Sequence, residues 1–314
     1  MVSEKKIPKI RKGVYMIDFT KLPTRKKAYG GAGGGKLSIL YKKELYMLKF
    51  PGAAKLNGDM SYANNCISEF LGCHIFESVG FPVQKTILGT YTTNGEEKIV
   101  VACKDFEFEG LSLQDFASIK NTIITSSESG YGTELKDIVS AIEKQTVLDP
   151  VKLSDWFWDM FIIDALIGNW DRHNGNWGFL YDGKTDSISI APIYDCGSCI
   201  YPQADDKIMQ LVLDDPKERN LRIFERPRSC IQIDGQKIHY FDFISSLENV
   251  DCNKALLKMY PRIDMNKIES IIEQTPYISD LQKKFYKTML HERKERILGF
   301  SYKKLQDKLS KNRT

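Results

Sequence analysis

Apolar and polar residues alternate with a period of two through Leu37-Ser38-Ile39-Leu40-Tyr41 and return through Leu45-Tyr46-Met47-Leu48-Lys49-Phe50. The intervening Lys42-Lys43-Glu44 reads as a turn, so this stretch predicts two paired strands. Apolar positions then fall at helical intervals from Tyr62 to Val79, with Ser61 as the expected N-cap and Gly80 as the stop. A second hairpin follows, Val83 to Tyr91 and Lys98 to Lys104 around Thr93-Asn94-Gly95. Upstream, Val14 to Phe19 is a short apolar patch of strand character with weak bounds.

Beyond Lys104 the period changes to that of helices, predicted over Leu111 to Ile119 and Thr133 to Gln145 on either side of a polar, mobile loop at Ser126 to Gly132. Asp149-Pro150 combines an N-cap with proline at the first helical position and opens a helix to about Ile167. Trp156, Phe157, Met160 and Phe161 on it read as core. Trp177 to Tyr181 and Ser187 to Ala191 form a hairpin through Asp182-Gly183. The chain from Pro216 onward reads as mostly helical, broken at Tyr260-Pro261-Arg262 and by a short hairpin at Asp234-Gly235. Leu305 to Thr314 reads as a basic tail that frays into solvent. The fold class is α+β with two lobes, a β-rich one over residues 1–105 and a helical one over 106–314.

Length and composition narrow the picture. At 314 residues and 42% hydrophobic, the chain can build two substantial cores. The formal charge of +4 is mild and its bearers are interspersed, so no direct nucleic-acid partner is expected. Residues 1–25 lack the apolar run of a secretory signal, and no later run is long enough to span a membrane. These features predict a soluble protein of the cytoplasm with no membrane partner. Seven cysteines, an odd number scattered through every kind of element, read as reduced thiols. Cys196-Gly197-Ser198-Cys199 has no second pair to complete a metal site, so it too reads as structural.

The candidate chemistry sits in Gly168-Asn169-Trp170-Asp171-Arg172-His173-Asn174-Gly175-Asn176-Trp177, followed after a hairpin by Ile193-Tyr194-Asp195-Cys196-Gly197. An Asp and an Asn five residues apart, then a second Asp behind a strand pair, have the spacing of a phosphoryl-transfer centre. Asp171 can take or orient the proton of an attacking hydroxyl. Asn176 and Asp195 offer the hard oxygens that Mg²⁺ prefers, in the small number it needs when phosphates and water complete its shell. Taken alone, Asp171 and Asn176 also fit Asx-type turns beside Gly175. Three upstream pieces in kinase order weigh against that reading. Tyr29-Gly30-Gly31-Ala32-Gly33-Gly34-Gly35-Lys36 overlaps a Walker A pattern, but Leu37 stands where Ser or Thr is needed and a strand follows in place of a helix. It reads as a phosphate loop between strands, with a plain glycine linker as the alternative. Lys49 ends an apolar strand, and Glu69 lies mid-helix beside the apolar stripe. Together they match the clamp in which a lysine holds the α- and β-phosphates and a glutamate holds the lysine. An edge-strand lysine and a solvated glutamate are the plainer readings of each residue alone.

Asp-Arg-His-x-x-Asn followed by Tyr-Asp resembles the HipA-type serine/threonine kinases, whose fold also resembles that of phosphoinositide kinases. The resemblance runs from about Tyr29 to about Arg296, and is greatest to the compact, stand-alone cell-translocating kinase group. It implies ATP and Mg²⁺ as cofactors and a protein partner presenting a Ser or Thr hydroxyl, with autophosphorylation as a further expectation. Asp171 is implied as catalytic base, with Lys49 and Glu69 as its catalytic supports. Lys104-Asp105-Phe106 falls at the inter-lobe hinge whose backbone would meet adenine. His173 belongs to the motif on the nucleotide side, and it and Arg172 are equally readable as structural hydrogen-bonders. Phosphoinositide kinases share the wording but need cations after the metal-binding Asp, and Cys196 to Asp206 carries none. Small-molecule kinases of the same fold and a non-catalytic nucleotide-binding module are further alternatives. Only residues 1–28 precede the loop, which puts control by a HipB-like antitoxin in doubt. The loop has no Ser or Thr, so a phosphorylation switch there has no acceptor. Secretion or translocation to another cell is implied by the resemblance alone.

Overall fold

The computed structural model describes residues 17–30, 35–52, 64–123 and 129–311. Strands β1 (Thr24–Arg25), β2 (Lys36–Tyr41) and β3 (Glu44–Lys49) precede helix α1 (Asn65–Ser78), and β4 (Thr86–Thr93) and β5 (Glu96–Lys104) follow it. The five strands make one antiparallel sheet in the order β1-β2-β3-β5-β4. Alternation decides its faces. Tyr46, Leu48, Val100 and Ala102 point outward into a small cluster with Ile39 and Phe19. Val101, Cys103 and Leu88 point the other way, onto Leu71, Ile75 and Phe76 of α1 and the main core. Asn94 and Gly95 take positive φ between β4 and β5, as a two-residue hairpin turn requires.

The expected patch at 14–19 is described only from residue 17. Its described part, residues 17–19, is no strand: Asp18 makes a single parallel bridge to Thr90, and the fully buried Phe19 donates its N–H to the Thr90 carbonyl at 2.9 Å. Helix α1 begins three residues later than expected, with Asn64 at the N-cap position; Ser61 lies outside the described residues. The Asn64 amide instead donates to the Ala204 carbonyl at 2.9 Å, tying the helix start to the far side of the molecule.

Strand β6 (Leu111–Asp115) corrects the expected helix over 111–119, because helix α2 runs only over Phe116–Ile123. Leu111, Leu113 and Asp115 alternate with Ser112 and Gln114, and the segment pairs antiparallel with β7 (Gly178–Asp182). The period of this segment is two and not 3.6; Asp115 then accepts from the Ser118 N–H at 2.8 Å and opens α2. Helices α3 (Leu135–Lys144) and α4 (Pro150–Ile167) follow, and β7 pairs with β8 (Ser187–Ile190). Of the proposed mobile loop, residues 124–128 lie outside the described set and Ser129–Tyr131 forms a 3-10 turn.

Helix α4 is the axis of the helical part. Asp149 accepts from the Val151 N–H at 2.9 Å, Pro150 opens the first turn, and Gly168 ends the helix in the left-handed conformation with φ 64°. The rest of this part is α5 (Asp206–Asp214), α6 (Pro216–Asn220), the hairpin β9 (Gln232–Ile233) and β10 (Gln236–Lys237), α7 (Tyr240–Ser246), α8 (Val250–Met259), α9 (Met265–Gln274), α10 (Asp280–Arg293) and α11 (Phe300–Lys311), of which α8 and α10 pack directly on α4. The last helix corrects the frayed tail. Leu305 is buried and the helix continues to Lys311, so apolar burial overrides the basic surface residues. No described helix is long and apolar enough to cross a membrane.

Candidate active site

Gly168 turns the chain out of α4 and straight into the loop that carries the candidate base. The loop is fixed by buried groups. Asp164, on the last turn of α4, accepts from Asn169 Nδ2 at 2.9 Å and from Arg172 Nε at 3.0 Å. The Asn169 side-chain oxygen in turn accepts from the Asp171 N–H at 3.1 Å. Arg172 is almost wholly buried and donates further to the carbonyls of Asn176 at 2.9 Å and Tyr194 at 2.6 Å. One guanidinium therefore joins helix α4, the loop and the segment leading to Asp195. Of the two readings left open for Arg172, the geometry gives the structural one.

Asp171 stands half-buried at the cleft. Burial raises its pKa above the ordinary 3.8; His173 opposes the rise and the charge of Asp195 adds to it. Ser198 Oγ lies 3.5 Å from Asp171 Oδ2. Asn176 donates through Nδ2 to the Asp171 carbonyl at 2.8 Å, so Oδ1 is the atom it can turn to a cation. His173 Nδ1 accepts from the Gly175 N–H at 3.0 Å, which places the ring proton of the neutral form on Nε2.

Asp195 adopts φ 55°, a left-handed conformation that an Asp tolerates better than most side chains and that turns the carboxylate into the cleft. Lys49 Nζ lies 2.9 Å from Asp195 Oδ1 and 2.9 Å from Glu69 Oε2. Burial alone would lower the Lys49 pKa, yet the charges of Asp195 and Glu69 hold it well above the ordinary value. The same Lys49 charge holds the Asp195 carboxyl below its ordinary value, against the opposing effect of burial. Glu69, read from sequence as lying at the edge of the stripe, is 1% exposed. A carboxylate buried that deeply needs its lysine.

The glycine run is seen at its ends. Gly31, Ala32, Gly33 and Gly34 lie outside the described residues, whereas Gly30, Gly35 and Lys36 are placed. Lys36 sits opposite Lys49 in the β2–β3 register, and its ammonium bonds the Gly30 carbonyl. At the hinge, Lys104 N–H bonds the Lys85 carbonyl and Asp105 N–H the Leu45 carbonyl, both internal to the sheet region. Phe106 packs beside Leu180, Ala191 and Tyr194 in a separate apolar cluster.

The Cys-x-x-Cys segment is packing. A Cβ on Gly72 of α1 would lie 2.6 Å from Cys196 Cβ and 2.8 Å from Cys199 Sγ, so the helix rests directly on this loop. All seven cysteines are free and buried. Among the described residues no group of three or more His, Cys, Asp or Glu has the arrangement to hold a metal ion unaided. The two oxygens offered by Asn176 and Asp195 suit an ion shared with phosphates.

The reading from sequence missed three things: the side chain of Asp105, the bolt made by Arg172 and Asp164, and the service of Gly72. A buried-looking Asp at 164 within an apolar helix, eight residues before an Arg, was the available signal for the second. The other two had none.

A two-part cleft, with a sheet lysine paired to a helical glutamate above and an Asp, an Asn and a second Asp below, defines a protein-kinase-like phosphotransferase. The family described as the HipA-like C-terminal domain matches residues 28–280. The chain belongs to that family. It is 50% identical over 288 residues to the serine/threonine-protein kinase CtkA of Helicobacter pylori, an alignment that covers 91% of this chain and 87% of that protein. A crystal structure of a Helicobacter pylori proinflammatory kinase CtkA superposes with a TM-score of 0.87 at 49% identity, covering 93% of this chain and 98% of that one. HipA of Shewanella oneidensis, solved with HipB and operator DNA, is similar in fold alone, with a TM-score of 0.55 at 16% identity over 90% of this chain and 68% of that one.

Proposed function

We propose that the protein transfers the γ-phosphate of ATP, with Mg²⁺, to serine or threonine hydroxyls of a protein substrate. The observation that carries this reading is the assembled triad Lys49–Glu69–Asp195, with both contacts at 2.9 Å, beside the half-buried Asp171. Asp171 is the base that takes the proton of the acceptor hydroxyl. Burial supports that role, since a raised pKa brings a carboxylate closer to the proton affinity the step needs. Asn176 Oδ1 and the Asp195 oxygen not engaged by Lys49 are the groups that would hold Mg²⁺, which supplies charge neutralisation between the phosphates when bound. Lys49 orients the α- and β-phosphates and Glu69 fixes Lys49. The glycine run bracketed by Gly30 and Lys36 serves as the phosphate loop. At the hinge, the Lys104 and Asp105 amides are already engaged, which leaves the Phe106 amide as the donor for the base. His173 presents Nε2–H toward the phosphates, and residues 1–105 and 106–314 act as the two lobes that close on the nucleotide.

A protein acceptor is favoured over a phosphoinositide headgroup because no cation occurs between Cys196 and Asp206. The test is Asp171→Asn. Turnover of labelled ATP should fall by about 10²–10⁴ while calorimetry shows ATP affinity within a few fold, because a base is lost and no phosphate contact is. Undiminished turnover by this variant would remove Asp171 from the role. Phosphoproteomic comparison of the two proteins in a common lysate then reads out the acceptor residues.

A further inference from the structure

The two residues that lead into the glycine run are fastened to the hinge. Tyr29 Oη donates to Asp105 Oδ2 at 2.6 Å. Lys27 Nζ lies 2.8 Å from the same Asp105 oxygen and 2.8 Å from Glu107 Oε2, and its ammonium also stands 5.4 Å over the Tyr29 ring. Asp105 Oδ1 meanwhile accepts from the Glu107 N–H at 2.8 Å and so opens the short turn Phe106–Glu109 that leaves the hinge. The Asp105 side chain is only 3% exposed. A carboxylate buried to that degree must be paired, and its partners here are a cation and a phenol from the glycine-run neck.

The other end of the run is held as well. Phe50 donates its N–H to the Gly35 carbonyl at 3.3 Å, and Lys36 bonds back to the Gly30 carbonyl. Lys36 and Lys49 are opposite one another in register, so they share a face of the sheet, the one that looks into the cleft. Both ends of the glycine run are thereby fixed, one to the strand that bears Lys49 and one to the hinge.

We infer that Tyr29, Lys27 and Asp105 form a latch that fastens the neck of the glycine run, up to Gly30, to the hinge, and that nucleotide affinity depends on it. They are positioning residues: none of them reaches a reacting atom, and each acts through the loop or the hinge. The inference rests on the kinase reading of the cleft. It also gives a physical basis for a loop with no Ser or Thr of its own. Ser38, the hydroxyl that follows the loop, is a poor acceptor for a regulatory phosphate because it is 2% exposed inside β2.

The experiment measures binding of a non-hydrolysable Mg-ATP analogue to the full chain by calorimetry, alongside steady-state turnover with ATP. Tyr29→Phe keeps the ring and removes the hydroxyl, and Lys27→Met keeps the stem and removes the charge. Each should weaken the analogue roughly five- to tenfold, the scale of one ordinary lost hydrogen bond, with kcat at saturating ATP retained. Because both act on one carboxylate, the double variant should lose less than the product of the single losses. Unchanged affinity in Tyr29→Phe, or fully multiplicative losses, would overturn the latch. Tighter binding in Tyr29→Phe would overturn it too, by showing that the phenol blocks the site. Asp195→Ala separates the two readings: if it also leaves Mg-dependent affinity intact, the nucleotide site itself is misplaced, whereas a large loss there with no effect at Tyr29 defeats the latch alone. Melting temperatures matching the parent protein guard each comparison.

Discussion

The two sides of the cleft are held by different kinds of contact. Below, the loop bearing Asp171 is bolted by Asp164, Asn169 and Arg172, all buried and bonded to one another or to backbone carbonyls. Above, the neck of the glycine run is held by Lys27 and Tyr29, both partly exposed, through one buried carboxylate. The lower network cannot open without stranding charge in the core. The upper one also rests on a buried carboxylate, but its Lys27 and Tyr29 partners reach solvent, so water can follow them as they part. The loop that bears Asp171 is thereby held by buried bonds, while the neck at Lys27 and Tyr29 is held by side chains that solvent can reach.

The largest effect should come from breaking the lower network. Arg172→Met leaves Asp164 without its cation in the core, where burial already raises its pKa, and should cost about 3–5 kcal/mol of stability. Urea unfolding of the variant checks this, and a change below about 1 kcal/mol would show that the bolt is not the structural element it looks to be. The replacement pair Asp164→Leu with Arg172→Met should recover part of the loss, because no charge is then left alone.

A smaller effect is expected where the two sides meet. Gly72→Ala on α1 places a methyl carbon 2.6 Å from Cys196 Cβ, so the helix or the loop must move. Overpacking of this sort costs about 1–3 kcal/mol. Because α1 also carries Glu69, turnover should fall along with stability. An active, fully stable Gly72→Ala variant would mean that the helix is free to shift.

Much of this site could be read before the structure because its chemistry is local in sequence. Asp171 and Asn176 share one loop, and Asp149-Pro150 and Gly168 mark both ends of α4 by conformational rules that need no partner. Lys49 and Glu69 were found from their order and met at 2.9 Å. What stayed hidden depends on distant partners. Asp105 carries no mark of meeting Lys27 and Tyr29, which lie more than seventy residues away. Leu111 to Asp115 looked helical because its strand partner, β7, is remote in sequence. Tertiary pairing decided between two periods that a five-residue segment fits equally well.

pH offers a gentler probe of the same comparison. The Asp171 pKa is raised by burial, so the base becomes protonated, and turnover falls, as pH drops through a value above the ordinary 3.8. Below that midpoint the loss is about tenfold per pH unit. Asp195 behaves oppositely. Its pKa is lowered by Lys49, so its pairing contributes stability above its ordinary 3.8 and loses it only as pH falls further, through the lowered value. A kcat profile measured beside a thermal-melt profile should show activity lost at a higher pH than the stability that this pair contributes. Coincident losses would place the acid limb on unfolding and not on the base.

The smallest effect is expected at the thiols, although they follow closely on Asp195. Burial raises the Cys199 pKa well above the ordinary thiol value, which keeps that thiol protonated and inert at neutral pH. Cys196 Sγ accepts from Arg172 at 3.3 Å and Cys199 Sγ donates to the Ser68 carbonyl at 3.4 Å, contacts that a serine hydroxyl can also make. Cys196→Ser and Cys199→Ser should therefore keep turnover, with stability lowered by no more than about 1 kcal/mol each. Purified protein should carry no stoichiometric zinc, and chelator treatment followed by return of Mg²⁺ should restore full activity. Loss of turnover in either serine variant, together with bound zinc, would turn this pair from packing into half of a metal site and move the comparison between the two sides of the cleft onto different ground.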